Sequence, residues 1–170
     1  MNKLGVIGFV KSFFRNTPLV KIKTLQEFTP VGERPWLESY DDDVEKAIDI
    51  PDLTLVDFLE KAASESSDKV FINYFNRKIT YSDFFNYVQK CAAGLQEQGI
   101  TKGDRVALVL PNMPQFMIAY WATLSLGGLA VLVNPVLTAR EVKEQIKIVD
   151  AKMVIILDRL LEPFLKECDD

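Results

Sequence analysis

The chain of 170 residues contains no histidine and two cysteines, Cys91 and Cys168. Ser-His-Asp and Cys-His catalytic sets are therefore excluded within it, as is any histidine-based metal site. Chemistry would have to come from lysine, carboxylate or backbone groups, or from a bound nucleotide. Ser66-Ser-Asp-Lys69 has the bare Ser-x-x-Lys spacing of some acylating enzymes, but it falls in a loop and lacks the companion motifs, so coincidence is the better reading. Asp41-Asp42-Asp43 concentrates carboxylates as a metal site would. Nothing else clusters with it, and a solvated loop explains it. Gly127-Gly128 could offer backbone N–H groups to a phosphate, but a phosphate cradle needs several such groups in succession. What remains are the loops that follow three apolar runs: Pro111–Met113, Asn134–Leu137 and the residues after Leu157.

Those loops are positioned by a strand–helix–strand–helix–strand pattern over residues 99–158. Lys102-Gly103-Asp104 is a turn signal, and Val106–Leu110 after it reads as a buried strand. Asn112 is expected to cap a helix, with Pro114 in its first turn, that runs to about Leu126. That helix has no charged face, so it should be covered on more than one side. Gly127-Gly128 should end it. Leu129–Val133 is the second strand, stopped by Asn134-Pro135. Thr138 and Glu141 form a capping box for a helix whose stripe is Val142, Ile146 and Val149. Met153–Leu157 is the third strand. The fold class is therefore α/β, a parallel sheet with helices on both faces. In such sheets ligands gather outside the carboxyl ends of the strands, although these loops could equally be plain connections.

Upstream, Thr54 and Asp57 should cap a helix with the stripe Leu55, Phe58, Leu59, Ala62 and Ala63. A short hairpin is expected across Val70–Ile79 with Asn76-Arg77 at its turn. Thr80 and Asp83 open a further helix with Phe84, Val88, Cys91, Ala92 and Leu95 on one side, and Gly99 ends it. Residues 159–170 begin another amphipathic segment. The two cysteines are far apart and lack metal-like spacing, so a reduced, cytoplasmic protein is expected.

The net charge is −4 and the pI near 5.0, which argues against nucleic acid as a partner. Charge is uneven: residues 1–26 carry +5 with no acid, and residues 27–60 carry −9. Leu4, Ile7, Val10, Phe13 and Phe14 could share one side of a helix with Lys3, Lys11 and Arg15 elsewhere around it. That would suit weak peripheral contact with the inner face of an anionic membrane; a terminus packed on a partner is the other reading. The apolar run Leu4–Val10 is too short to span a bilayer, and no small-residue cleavage site marks a signal peptide. Residues 27–52 look irregular. The expected organisation is an N-terminal extension over 1–52, basic and then acidic, and a partial α/β domain over 53–170.

Several of these segments together resemble one family. Ile79-Thr-Tyr-Ser-Asp-Phe84 is similar to the "lTYaEL" signature of AMP-forming acyl-CoA synthetases. Gly99-Ile-Thr-Lys-Gly-Asp-Arg-Val-Ala-Leu108 resembles their "GvkkGDrVal" stretch, Leu110-Pro-Asn-Met-Pro-Gln115 their "lpNxpe", Leu126-Gly-Gly-Leu-Ala-Val-Leu-Val-Asn-Pro135 their "aGavvvnvNP", and Leu137-Thr-Ala-Arg-Glu-Val142 their "lTprEl". Arg34-Pro-Trp-Leu-Glu-Ser-Tyr40 resembles the opening of bacterial long-chain fatty acid–CoA ligases. The resemblance implies that ATP and a fatty acid give acyl-adenylate and pyrophosphate, and that CoA then displaces AMP, with magnesium neutralising phosphate charge. It also implies the fold of the N-terminal part of the family's large domain.

The family's Ser/Thr/Gly-rich phosphate loop, its downstream adenylate motifs and its catalytic lysine have no counterpart here. The chain therefore resembles roughly the first third of a ligase and is expected to be inactive alone. No catalytic residue, metal site or cofactor is expected in the isolated chain; ATP, Mg and CoA belong to the full-length family enzyme, as do fatty acid and CoA as substrates. One set of positions carries over: Val133, Asn134 and Pro135 match a loop that in some relatives approaches the CoA entrance. Asn134-Pro135 could also simply turn the chain. A second reading is a non-catalytic interaction module that binds a membrane, a second copy or the rest of a ligase. A small doubly wound nucleotide-binding protein ranks last, for want of G-x-G-x-x-G or a Walker loop.

Overall fold

A computed structural model describes Ile7–Gly8, residues 35–47 and residues 50–169. The elements in chain order are β1 (Ile7–Gly8), α1 (Leu55–Glu65), β2 (Val70–Tyr74), β3 (Arg77–Thr80), α2 (Tyr81–Glu97), β4 (Arg105–Val109), α3 (Pro114–Ser125), β5 (Leu129–Leu132), α4 (Ala139–Ile148), β6 (Met153–Ile156) and α5 (Asp158–Asp169). Residues 15–53 form a unit distinct from the rest. Within it, Pro35–Ser39 make one 3-10 helix. A Val44 N–H to Asp41 carbonyl bond of 3.0 Å closes a turn over the exposed run Asp41–Asp43.

The parallel sheet is real and has the order β6-β4-β5, with Val106 opposite both Ala130 and Met153. The basic amphipathic segment expected over residues 1–26 lies outside the described residues, except that Ile7–Gly8 are extended. They pair antiparallel with Ile155 and Val154.

Side chains alternate across the central strand, and this alternation divides the core. Val106 and Leu108 face a cluster built with Phe84, Val88, Leu95, Ala119 and Ala122 from α2 and α3. Ala107 and Val109 face the other side, against Val142 and Ile146 of α4 and Phe164 of α5. Helices therefore cover both faces, as continuous apolar strands require. Cys91 packs at the first cluster and Cys168 at the second, so the sheet separates them, and neither is in a disulfide. Burial pushes the Cys91 thiol up, which makes it a packing group rather than a nucleophile.

The local signals at helix starts hold. Thr54 and Thr138 each accept from the third residue of their helix, and Asp57 and Glu141 reach back to the cap N–H at 2.7 and 2.8 Å. Thr80 accepts from Asp83 N–H at 3.1 Å. Two expectations need correction. Asn112 does not cap α3: Met113 does, with φ −145° and ψ 160° and no side-chain bond. Pro114 excludes the helical region for the residue before it, so the boundary falls at Met113. The hairpin turn is Phe75-Asn76, not Asn76-Arg77, because Tyr74 pairs with Arg77. Both turn residues are left-handed, φ 47° and 63°, as a two-residue hairpin turn of the favoured hand requires.

The apolar stripes are less well covered than their spacing suggests. On α1, Leu59 and Ala63 are buried, but Leu55 and Phe58 are exposed. Leu129 and Leu132 of β5, an edge strand among the described residues, are also exposed.

At the amino ends of the strands a polar clasp fixes the register. Asp104 Oδ2 accepts from Thr101 N–H at 2.7 Å, the Thr101 hydroxyl at 2.9 Å and Lys152 Nζ at 2.6 Å, and Lys152 Nζ also donates to the Gly99 carbonyl at 2.7 Å. Burial pushes the Asp104 carboxyl up. The hydrogen bonds from Lys152 and Thr101 and the lysine charge outweigh it and hold the carboxyl below its ordinary value.

Two predictions follow from this packing. Phe84 is fully buried, with its ring 4.7 Å from that of Phe71, so Phe84→Ala should cost about 3–5 kcal/mol in urea unfolding. Asp104 carries its proton more readily in the unfolded chain than in the folded one. Its contribution should therefore be full above the ordinary carboxylate range of about 4 and fade as pH falls through its lower folded value. Urea unfolding across acid pH should show a shallower decline for Asp104→Asn than for the wild type, from a lower starting stability.

Candidate site at the carboxyl ends of the parallel strands

Because β4 lies between β5 and β6 in parallel, the loops leaving all three strands emerge side by side. The ladder runs one residue into two of them: Val133 N–H donates to the Leu108 carbonyl at 3.1 Å and Leu157 N–H to the Val109 carbonyl at 3.2 Å. Val133 is accordingly buried, while Asn134 is exposed and Pro135 half-buried. Asn134 then reverses the chain. Its Oδ1 accepts from Val136 N–H at 3.0 Å and its carbonyl from Leu137 N–H at 3.2 Å. The turn ends at Thr138, the cap of α4.

The carboxylate next to this loop is already engaged. The Thr138 backbone N–H and hydroxyl both donate to Glu141 and hold its carboxyl below the usual range. Among the described residues, no group of three or more Cys, Asp or Glu converges to hold a metal ion. The surface around Asn134 can offer backbone, amide and apolar contacts. A cavity of about 40 Å³ beside it, lined by Val109, Leu137, Val142, Ile156 and Phe164 among others, is apolar and no larger than a packing gap.

The glycine pair does not fit a nucleotide phosphate. Gly127 N–H donates to the Leu124 carbonyl at 2.9 Å and Gly128 N–H to the Thr123 carbonyl at 3.0 Å, so both donors are spent in ending α3. Gly127 takes φ 69°. A Cβ on Gly128 would lie 3.1 Å from the Thr123 carbonyl and 3.2 Å from that of Asp104. The pair turns the chain tightly between helix and strand.

At the opposite end of the sheet, Gly103, Asp104, Arg105, Asp150 and Lys152 border an open cleft of about 250 Å³. Its charges offset one another, with Arg105 Nη1 3.9 Å from Asp150 Oδ2 and Lys152 on Asp104. Lys152 is the polar residue that sequence reasoning missed. Its partners are 48 and 53 residues away, and no local pattern announces them. Ser66 and Lys69 also meet only through backbone: the Ser66 carbonyl accepts from Lys69 N–H at 3.0 Å and closes the turn after α1.

Comparison with known proteins agrees with this frame. Residues 59–170 match the model of the AMP-binding enzyme family. Over 135 residues the chain is 37% identical to a long-chain-fatty-acid–CoA ligase of Bacillus subtilis (strain 168), covering 79% of this chain and 24% of that protein. The inhibitor-bound N-terminal domain of FACL13 from Mycobacterium tuberculosis superposes with a TM-score of 0.57 at 31% identity, over 59% of this chain and 26% of that one. A mutant form of coronafacic acid ligase from Pectobacterium brasiliense shares the fold with a TM-score of 0.66 at 24% identity, over 69% of this chain and 23% of that one. The chain thus matches about a quarter of the length of such relatives. The parallel sheet, the cap motifs and these matches together make the chain a member of the AMP-binding enzyme family.

Proposed function

We propose that this chain serves as the N-terminal part of the large domain of a long-chain fatty acid–CoA ligase, and that it does not adenylate alone. The observation that carries the reading is the likeness to long-chain-fatty-acid–CoA ligase, 37% over 135 residues and in consistent order. In the complete reaction, ATP and a fatty acid would give acyl-adenylate and pyrophosphate, and CoA would then release AMP. Residues 53–170 are the partial α/β domain and residues 1–52 an extension ahead of it. The role of this part is to hold the strand-end loops in place. Val133, Asn134 and Pro135 would line the approach of CoA once the rest of a ligase-length domain is present. The exposed Asn134 amide and half-buried Pro135 suit contact with a flexible polar chain better than chemistry.

The purified chain should show no ATP–pyrophosphate exchange above a blank lacking protein, with or without a long-chain fatty acid. Clear exchange would overturn the reading, because it would need a phosphate cradle that Gly127 and Gly128 do not provide.

The open edge of β5 favours a second reading, an assembly module. Leu129-Ala-Val-Leu132 carries no charge or proline to blunt an unpaired edge. Under this reading the edge takes a strand from another copy or from the remainder of a ligase. Light scattering on the chain alone should then give a mass above 19.3 kDa that falls on Val131→Lys. A strict monomer at all concentrations would remove self-assembly.

A further inference from the structure

Among the described residues, Phe75 combines backbone strain with apolar exposure. Its φ is +47°, and 88% of its surface is open to solvent. The other non-glycine residues at positive φ are Asn76 and Asp150, short polar types that tolerate this region. A bulky ring does nothing for the turn it occupies, where Asn-Gly or Asp-Gly would sit more comfortably. A strained residue kept at an exposed tip points to a use outside the fold.

Its neighbours indicate what that use is. The Tyr74 ring stands edge-on to Phe75 at 4.6 Å and is itself partly exposed. Arg77 lies opposite Tyr74 in the ladder, and Lys78 lies opposite Asn73. All four of these flanking residues are exposed, as is Lys69 at the base of the hairpin. From Lys69 to Ser82 the chain holds no acid. Further back, Ile79 and the half-buried Ile72 anchor the hairpin to the core cluster. The finger is therefore layered along its length: the Phe75 ring beside Asn76 at the tip, then a rung that sets the Tyr74 phenol opposite Arg77, then a rung that sets Asn73 opposite Lys78, then an anchored base.

We infer that this hairpin docks on an anionic phospholipid surface. Phe75 enters the acyl region, Tyr74 sits at headgroup level, and Arg77 and Lys78 meet the lipid phosphates. An apolar tip followed by a phenol and cations together matches a bilayer interface, where acyl chains give way to a headgroup layer that takes both aromatic and basic side chains. The basic flank complements the surface potential of anionic lipid. A pocket on a protein partner would not call for that ordering. The inference rests on neither the ligase reading nor residues 1–26.

The test uses the full chain and vesicles of phosphatidylcholine with or without phosphatidylglycerol. Sedimentation should show binding to the anionic vesicles. Phe75→Asn should weaken it roughly tenfold, while the thermal midpoint stays level or rises because asparagine suits a left-handed turn. Arg77→Gln with Lys78→Gln should cost roughly tenfold on anionic vesicles and little on neutral ones. Phe75→Trp should gain fluorescence that brominated acyl chains quench, over the background of Trp36 and Trp121. Failure to bind anionic vesicles, undiminished binding by Phe75→Asn, or a Trp at position 75 that the bromolipid leaves unquenched would each overturn the inference.

Discussion

The α/β body of this chain depends on burying both faces of β4. Val106, Ala107, Leu108 and Val109 each have 0% of their surface exposed. Alternate side chains point to opposite faces, so no single layer of helices could cover them. Each buried valine or leucine contributes about 1.5–3 kcal/mol, and leaving one face open would forfeit half of that. Pairing on both edges then satisfies the strand's N–H and C=O groups, which burial would otherwise leave without partners. The two helical layers, the parallel neighbours and the chain's repeated reversals are what this requirement looks like once met.

The recurring family motifs in this region prove to be architectural when the hydrogen bonds are followed. Thr80, Thr138 and Glu141 cap helices, Asp104 clasps strand ends, and Gly127 and Gly128 use their N–H groups to close α3. Their polar atoms are committed before any ligand arrives. A region that frames a site and one that reacts can therefore both carry conserved-looking motifs, and only the partners of each polar atom tell them apart. Here they describe a frame that holds the strand-end loops in place.

Legibility from sequence followed the range of the interaction. Capping boxes and the apolar runs were readable because their partners lie three or four residues apart. Met113 displaced Asn112 as a cap through a steric effect of Pro114, one residue away, which outweighs the side-chain preference for asparagine. The turn moved to Phe75-Asn76 because ladder register, set by Ile72 meeting Ile79, fixed where the strands end. A phenylalanine at positive φ is a choice that propensity argues against. The exposure of Leu129, Leu132 and Leu55 was not readable at all, since it depends on which surfaces have neighbours. Lys152 was invisible for the same reason. The strand-end loop could be located from the pattern of runs, while the bonds that engage Glu141 and Asn134 emerged only in the structure.

The strand order also sets a timetable. The central strand is the earliest of the three to leave the ribosome: Val106 must wait for Ala130 on one side and then for Met153 on the other. During synthesis β4 is thus an apolar ribbon with two open edges, then one, and its second face stays uncovered until α4 and α5 exist. Closing such long-range pairs carries a loop-entropy cost that local helices do not bear. The α2 helix, capped by Thr80 and completed before β4 begins, supplies a waiting apolar surface on which the nascent strand can shelter. The chain is arranged so that its fully buried central strand emerges directly after its first long helix.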